Sequence, residues 1–129
     1  MRRFALATVI LTFVVVVVGA YVRLSDAGLG CPDWPLCYGR PLPDGHEDAR
    51  AWKEMGHRYL AGTLGLMIFG LMLAAWRKRA SPGLATAIAL LVVFQATLGK
   101  WTVTMLLKPA IVVSHLAGGM TLLALLVWY

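Results

Sequence analysis

Charge is what this sequence has least of. Charged residues make up 14% of its 129 positions, against roughly a quarter in a soluble domain, while 60% are hydrophobic. A water-soluble globule is thereby excluded and a membrane protein is expected. Acidic residues are scarcer still, 6 Asp and Glu against 12 Lys and Arg, for a formal net charge of +6. The basic residues do not form the contiguous stripe, interleaved with polar or aromatic contacts, that a nucleic-acid surface requires. They are scattered or sit beside apolar runs, as topology signals do. No stretch is left over for a soluble domain. Cysteine is nearly absent, with Cys31 and Cys37 the one pair, and the histidines are three: His46, His57 and His115.

What is there instead is four apolar runs, Phe4 to Tyr21, His57 to Trp76, Leu84 to Gly99 and Ala110 to Trp128. A helix needs roughly 20 residues to cross a bilayer, so the second and fourth suffice and the third suffices if it borrows Lys100 to Thr104. The fold class expected is an all-α membrane protein, an antiparallel bundle of four transmembrane helices forming one domain over residues 1–129. The first run has a competing reading. Arg2-Arg3, an apolar stretch and Val18-Gly19-Ala20 together resemble a cleavable export signal, but the run is long for such a core and continues without a break into Tyr21-Val22-Arg23.

Arg2-Arg3 precedes the first run and Arg77-Lys78-Arg79 follows the second. The positive-inside bias puts both in the cytoplasm, giving a multi-pass protein of the cell's inner (plasma) membrane with a cytoplasmic N-terminus. The connection over 22–52 is then an extracytoplasmic loop. All six acids, Asp26, Asp33, Asp44, Glu47, Asp48 and Glu54, fall on that side. Ser25 to Gly30 is rich in turn formers, and Pro32, Pro35, Pro41 and Pro43 forbid regular helix. Cys31 and Cys37 bracket Pro-Asp-Trp-Pro-Leu. On an oxidising face a disulfide closing this ring is reasonable, leaving Trp34 free to pack on the helix ends. Two reduced thiols are the alternative, and a metal site has too few ligands nearby.

The second helix is expected to begin near Ala51, since Trp52 and Met55 already keep helical spacing with Tyr59. Glu54 and His57 then share one face, about one turn apart. Gly62, Gly65 and Gly70 follow, small residues that either let helices approach or leave room for a flat ligand. Ser81-Pro82-Gly83 launches the third helix, which ends in Gln95 to Thr104, with Trp101 an interfacial anchor and Lys100 a snorkelling cation. His115 falls about 9 Å along the fourth helix.

Ionisable groups at such depth need a purpose. In an up-down-up-down bundle the second and fourth helices are diagonal and run the same way, so His57 and His115 have the geometry for two axial ligands on a haem iron. Arg58, Arg23, Lys100 and Lys108 are candidates to pair with the propionates. A helix-to-helix hydrogen bond is the plainer reading of each histidine, and a zinc site built with Glu54 a weaker one. Glu54 at a low-dielectric boundary can exchange protons with a bound substrate, or simply pair with Arg58 four residues on. His46, in Asp44-Gly45-His46-Glu47, reads as a solvated loop residue. His57 precedes Leu60-Ala61-Gly62 and His115 precedes Leu116-Ala117-Gly118, but the offsets differ and no internal repeat is assigned.

Several stretches carry a resemblance: Gly19-Ala20-Tyr21-Val22-Arg23-Leu24-Ser25-Asp26-Ala27-Gly28-Leu29-Gly30-Cys31-Pro32-Asp33-Trp34-Pro35-Leu36-Cys37, then Glu54-Met55-Gly56-His57-Arg58, Leu98-Gly99-Lys100-Trp101-Thr102-Val103, and His115-Leu116. Over essentially its whole length the chain resembles the haem A synthases, cytochrome oxidase assembly proteins. The resemblance implies oxidation of a porphyrin methyl of haem O to a formyl by successive hydroxylation, with oxygen from water. It implies that His57 and His115 hold the substrate haem, that Glu54 is the catalytic carboxylate, and that Arg23 and Arg58 lie near the haem edge. It also implies that Cys31 and Cys37 form an extracytoplasmic disulfide concerned with electron or haem transfer.

Members of that family typically hold two such four-helix halves, the second with a histidine pair for a haem B cofactor. This chain carries one half. It is therefore expected to be a fragment, the reading its end at Tyr129 favours, or a half-size member whose homo-oligomer supplies the second site. Partners expected are haem O, the lipid bilayer, and haem O synthase or an electron donor. A membrane b-type cytochrome passing electrons from quinol, and a non-catalytic haem-binding assembly subunit, are the alternatives.

Overall fold

The computed structural model describes residues 2–45 and 48–129; Met1, His46 and Glu47 lie outside the described residues, and with His46 the reading of it as a solvated loop residue. Four helices follow one another: α1 (Arg2–Leu24), α2 (Ala49–Lys78), α3 (Pro82–Thr104) and α4 (Pro109–Trp128). Each is long and apolar enough to cross a membrane, and no sheet forms among the described residues, only an isolated bridge between Cys37 and Arg40. The chain is thus an all-α, multi-pass bundle, as expected. The run Val14 to Val18 is β-branched throughout, yet it lies in mid-helix. In lipid an isolated segment can satisfy its backbone groups only by helical hydrogen bonds, and that requirement outweighs strand propensity.

Helix ends consume part of the stretch expected as loop. α1 runs on to Leu24 and α2 starts at Ala49, leaving 25–48 rather than 22–52 as the connection. The reason is capping. Asp48 accepts from the Arg50 backbone N–H at 3.3 Å, satisfying one of the orphan donors of the first turn. At the other terminus of α1, Asp26 turns into the left-handed region and the Ala27 N–H reaches back to Val22 O at 2.9 Å. α2 and α3 close in the same way, through Arg79 and Leu106, with Ala80 N–H on Ala75 O at 3.0 Å and Leu107 N–H on Thr102 O at 2.8 Å. The last carbonyls of three spans are therefore bonded within the chain instead of being left to the membrane interface. Pro82 and Pro109 open α3 and α4, where a missing N–H costs nothing.

Around the ring α1 packs on α2, α2 on α3, α3 on α4 and α4 on α1, while the Cα atoms of the diagonal pairs α1/α3 and α2/α4 stay more than 8 Å apart. Away from the 25–48 loop the four helices meet in a closed core. Leu64, Ile68, Leu71 and Ala75 form the seam of α2, spaced by alternating fours and threes. Leu64, Ile68 and Leu71 cluster with Ile88 and Ala89 of α3 and Leu122 and Leu126 of α4, with Val9 and Val15 of α1 at the margin. The buried hydroxyls of Thr8 and Thr12 donate to Phe4 O and Thr8 O on their own helix, so α1 buries them without demanding partners elsewhere. Toward the loop, the helices part.

Candidate functional site

The parting helices enclose a cavity of about 840 Å³, within the range of small-molecule and cofactor sites. His57 of α2 and His115 of α4 both line it, facing it from two diagonally opposed helices. Each ring is seated against a glycine of the preceding helix. A Cβ on Gly19 of α1 would stand 2.9 Å from His57 Cε1, and one on Gly99 of α3 would stand 3.5 Å from His115 Cε1. Gly62 and Gly65 line the same space with nothing near the position of an absent Cβ; of the two roles open to them, they leave room rather than admit a helix. Gly70 does the opposite, meeting the Phe4 ring at 3.5 Å.

The 25–48 loop closes one end of the cavity with Trp34, Pro35 and Leu36. Its shape follows from short-range chemistry. Cys31 and Cys37 are joined in a disulfide, and both are buried with Ala51 and Met55 in a small cluster on the first turns of α2. Gly30 lies so close to α2 that a Cβ would come within 2.5 Å of the Arg50 carbonyl carbon, an approach open to glycine alone. Asp33 accepts from the backbone N–H groups of Gly39 and Tyr38 at 2.8 and 2.6 Å, which holds its carboxyl below the usual carboxylate range, the Gly39 bond being the largest cause. Lys100 of α3 lies 5.7 Å from the Trp34 ring centroid, tying the loop to the far hairpin.

Glu54 is the junction between loop and cavity. It is 4% exposed, lines the cavity, accepts from Cys31 N–H on Oε2 at 2.8 Å, and pairs through Oε1 with Arg58. Arg58 in turn donates to the Leu36 carbonyl at 2.8 Å. The ion pair with Arg58 therefore forms, and the carboxylate keeps its place on the cavity wall as well. Of the cations named from sequence, Arg23 and Arg58 line the cavity, while Lys100 is engaged with Trp34 and Lys108 stands at the N-cap position of α4. Among the described residues no three His, Cys, Asp or Glu side chains come close enough to hold a metal ion between them, which leaves the zinc reading without a ligand set.

Three participants had no strong signal in the sequence. Gly19 and Gly99 are ordinary glycines of apolar helices until a ring from another helix lies on them. Gln95, a buried amide on the cavity wall, was legible only as an unusual polar residue within an apolar run. The Nδ1 atoms of His57 and His115 are buried with no hydrogen-bond partner, as are both amide atoms of Gln95. Two imidazoles unclaimed by the protein, a mostly apolar chamber between them and cations on its wall make a donor set and a cradle that fit a planar tetrapyrrole.

The comparisons with known proteins agree with one another. A family model described as cytochrome oxidase assembly protein, COX15-CtaA, matches residues 2–129. The chain is 46% identical to a heme A synthase of Shewanella oneidensis, over 92% of its own length and 41% of that protein's. It is 36% identical to one of Caulobacter vibrioides (95% and 40%) and 32% identical to one of Halalkalibacterium halodurans (89% and 40%). The chain thus spans about 40% of the length of these relatives. With the family model covering all but the first residue, the chain belongs to the COX15-CtaA family of cytochrome oxidase assembly proteins.

Proposed function

We propose that this chain is the substrate-haem half of a haem A synthase, holding haem O between His57 and His115 while a porphyrin methyl is oxidised through hydroxylation to a formyl. One observation carries the reading: the two imidazoles line a single cavity from diagonally opposed helices. When bound, the haem supplies the redox chemistry and the reacting methyl. The chain's own groups orient and shield. Gly19 and Gly99 seat the rings, Trp34, Pro35 and Leu36 limit access of bulk water, and Arg23 and Arg58 offer positive charge to propionates. Taking a methyl to a formyl with oxygen from water releases protons, and Glu54 is the carboxylate on the cavity wall able to accept one. Its two hydrogen-bonded neighbours, Cys31 N–H and the Arg58 guanidinium, fix its direction.

The disulfide supports an oxidising surroundings for the loop, and the basic residues Arg2, Arg3 and Arg77 to Arg79 gather at the opposite end of the bundle. The reading therefore has the N-terminus in the cytoplasm and the cavity toward the outer face of the inner (plasma) membrane. Because the relatives are longer, the haem B cofactor, an electron-transfer partner or haem O synthase would be met through a second half or a second copy. The test is Glu54→Gln in a preparation supplied with haem O. The substitution is expected to retain bound haem but stop formation of haem A, measured by extracting and identifying the porphyrin. Unchanged haem A yield would sink the role of Glu54 and favour a non-catalytic assembly subunit. A wild type that only reduces and reoxidises haem B would be a cytochrome.

A further inference from the structure

Gln95 is 6% exposed and lines the cavity, with neither Nε2 nor Oε1 bonded to the protein. The fold makes room for it deliberately: a Cβ on Gly118 of α4 would fall 1.9 Å from Gln95 Nε2. Leaving the donor and the acceptor of a buried amide both unpaired carries a cost that an apolar side chain of the same size avoids. Lipid offers no substitute partner. The position of Gln95 along the cavity narrows what the partner is. It stands one helical turn before Gly99, which seats His115, and one turn after Val92. From there toward the closed core the wall includes Gly65, Phe69, Val92 and Leu122, and the Thr12 hydroxyl on it already donates to Thr8 O of its own helix. The amide thus marks the boundary between the level of the imidazoles and an apolar extension.

We propose that Gln95 is a specificity-determining contact for a tetrapyrrole bearing a hydroxyl where a hydrocarbon tail joins the ring, with the tail lying along the apolar extension. An amide both donates and accepts, as a hydroxyl does, whereas a carboxylate only accepts and is better served by Arg23 and Arg58. Haem O carries such a hydroxyalkyl tail and haem B carries a vinyl group in its place. The inference rests on His57 and His115 being the haem ligands. It adds that this site selects haem O over haem B, with Gln95 making the distinction.

The test titrates the full chain in lipid nanodiscs with haem O and with haem B, following the absorption spectrum, for wild type, Gln95→Met and Gly118→Ala. Gln95→Met is expected to weaken haem O binding about tenfold, the loss of one buried hydrogen bond, and to leave haem B within about twofold. Gly118→Ala, which displaces the amide from the opposite helix while keeping it intact, is expected to give the same selective loss. Equal losses for both haems would mean that the amide holds only a water or the helix packing, and would overturn the proposal. No loss for either would overturn it too. A wild type that binds neither haem would instead overturn the ligand reading beneath it, so the two failures are told apart.

Discussion

The α1–α2 and α3–α4 hairpins use the same device and finish it differently. In each, a histidine on the second helix rests on a glycine of the first, and each glycine lies the same distance from the end of its helix. No sequence repeat announces this. Around His57, however, the hairpin adds a disulfide-closed loop, a buried carboxylate and an arginine bonded to both. Around His115 it adds the unpaired amide of Gln95 and the Thr102 hydroxyl, which donates to Gly99 O. Two similarly placed histidines thus sit in unlike surroundings, one polar and braced, the other largely apolar. In the function proposed above, this difference puts proton handling on one side of the cavity and recognition on the other.

The largest effect expected is from breaking the shared device itself. His57→Ala and His115→Ala should each lower haem affinity by more than the roughly 10- to 100-fold that loss of a supporting contact costs, and should replace a two-imidazole absorption spectrum by a one-imidazole one. If one substitution left the spectrum intact, the two hairpins would not share a ligand. Next come the two glycines, which sharpen the comparison. The methyl of Gly19→Ala would press on the His57 ring at 2.9 Å, while that of Gly99→Ala would meet His115 at an ordinary 3.5 Å. Gly19→Ala should therefore weaken haem binding about tenfold, in line with the ~1–3 kcal/mol cost of overpacking, and Gly99→Ala should leave it nearly unchanged. Equal effects in a binding titration would count against the asymmetry.

A smaller effect is expected from the brace. Replacing Cys31 and Cys37 by serine should destabilise the loop by about 2 kcal/mol, the value for a short closed ring, and raise hydrogen exchange at Cys31 N–H and along 25–48 with little change at α3–α4. Smallest is the pH response of the loop. The carboxyl of Asp33 is held below its ordinary range, so its contribution is complete above that range and is lost as pH falls through it. Amide exchange at Tyr38 and Gly39, taken relative to its intrinsic rate at each pH, should rise on acidification in the wild type. In Asp33→Asn it should already be raised at neutral pH.

Much of the fold was legible because membrane helices are local. Twenty-odd apolar residues must form their own hydrogen bonds wherever they cross lipid, and prolines and basic flanks mark their ends, so the four spans came out within a few residues. Their misjudged ends, Leu24 and Ala49, lie where polar residues continue a helix by capping, which hydropathy does not register. The candidate ligand pair was legible because histidine is rare in apolar runs and helix order makes α2 and α4 diagonal. Arg58 was harder. Its charge suggested both a haem contact and a partner for Glu54, and only the folded loop shows that it bonds Glu54 and a loop carbonyl while lining the cavity.

The amino-acid order by itself therefore determined the number of spans and their order, both consequences of forces acting within a segment. The tertiary structure alone decided that His57 and His115 border one chamber, that Gly19 and Gly99 seat them, and that Gln95 is left unpaired beside Gly118. These depend on which side chains meet across helices far apart in the chain. That is settled by how the whole bundle packs, tight at one end and parted at the other, and no single segment carries the information.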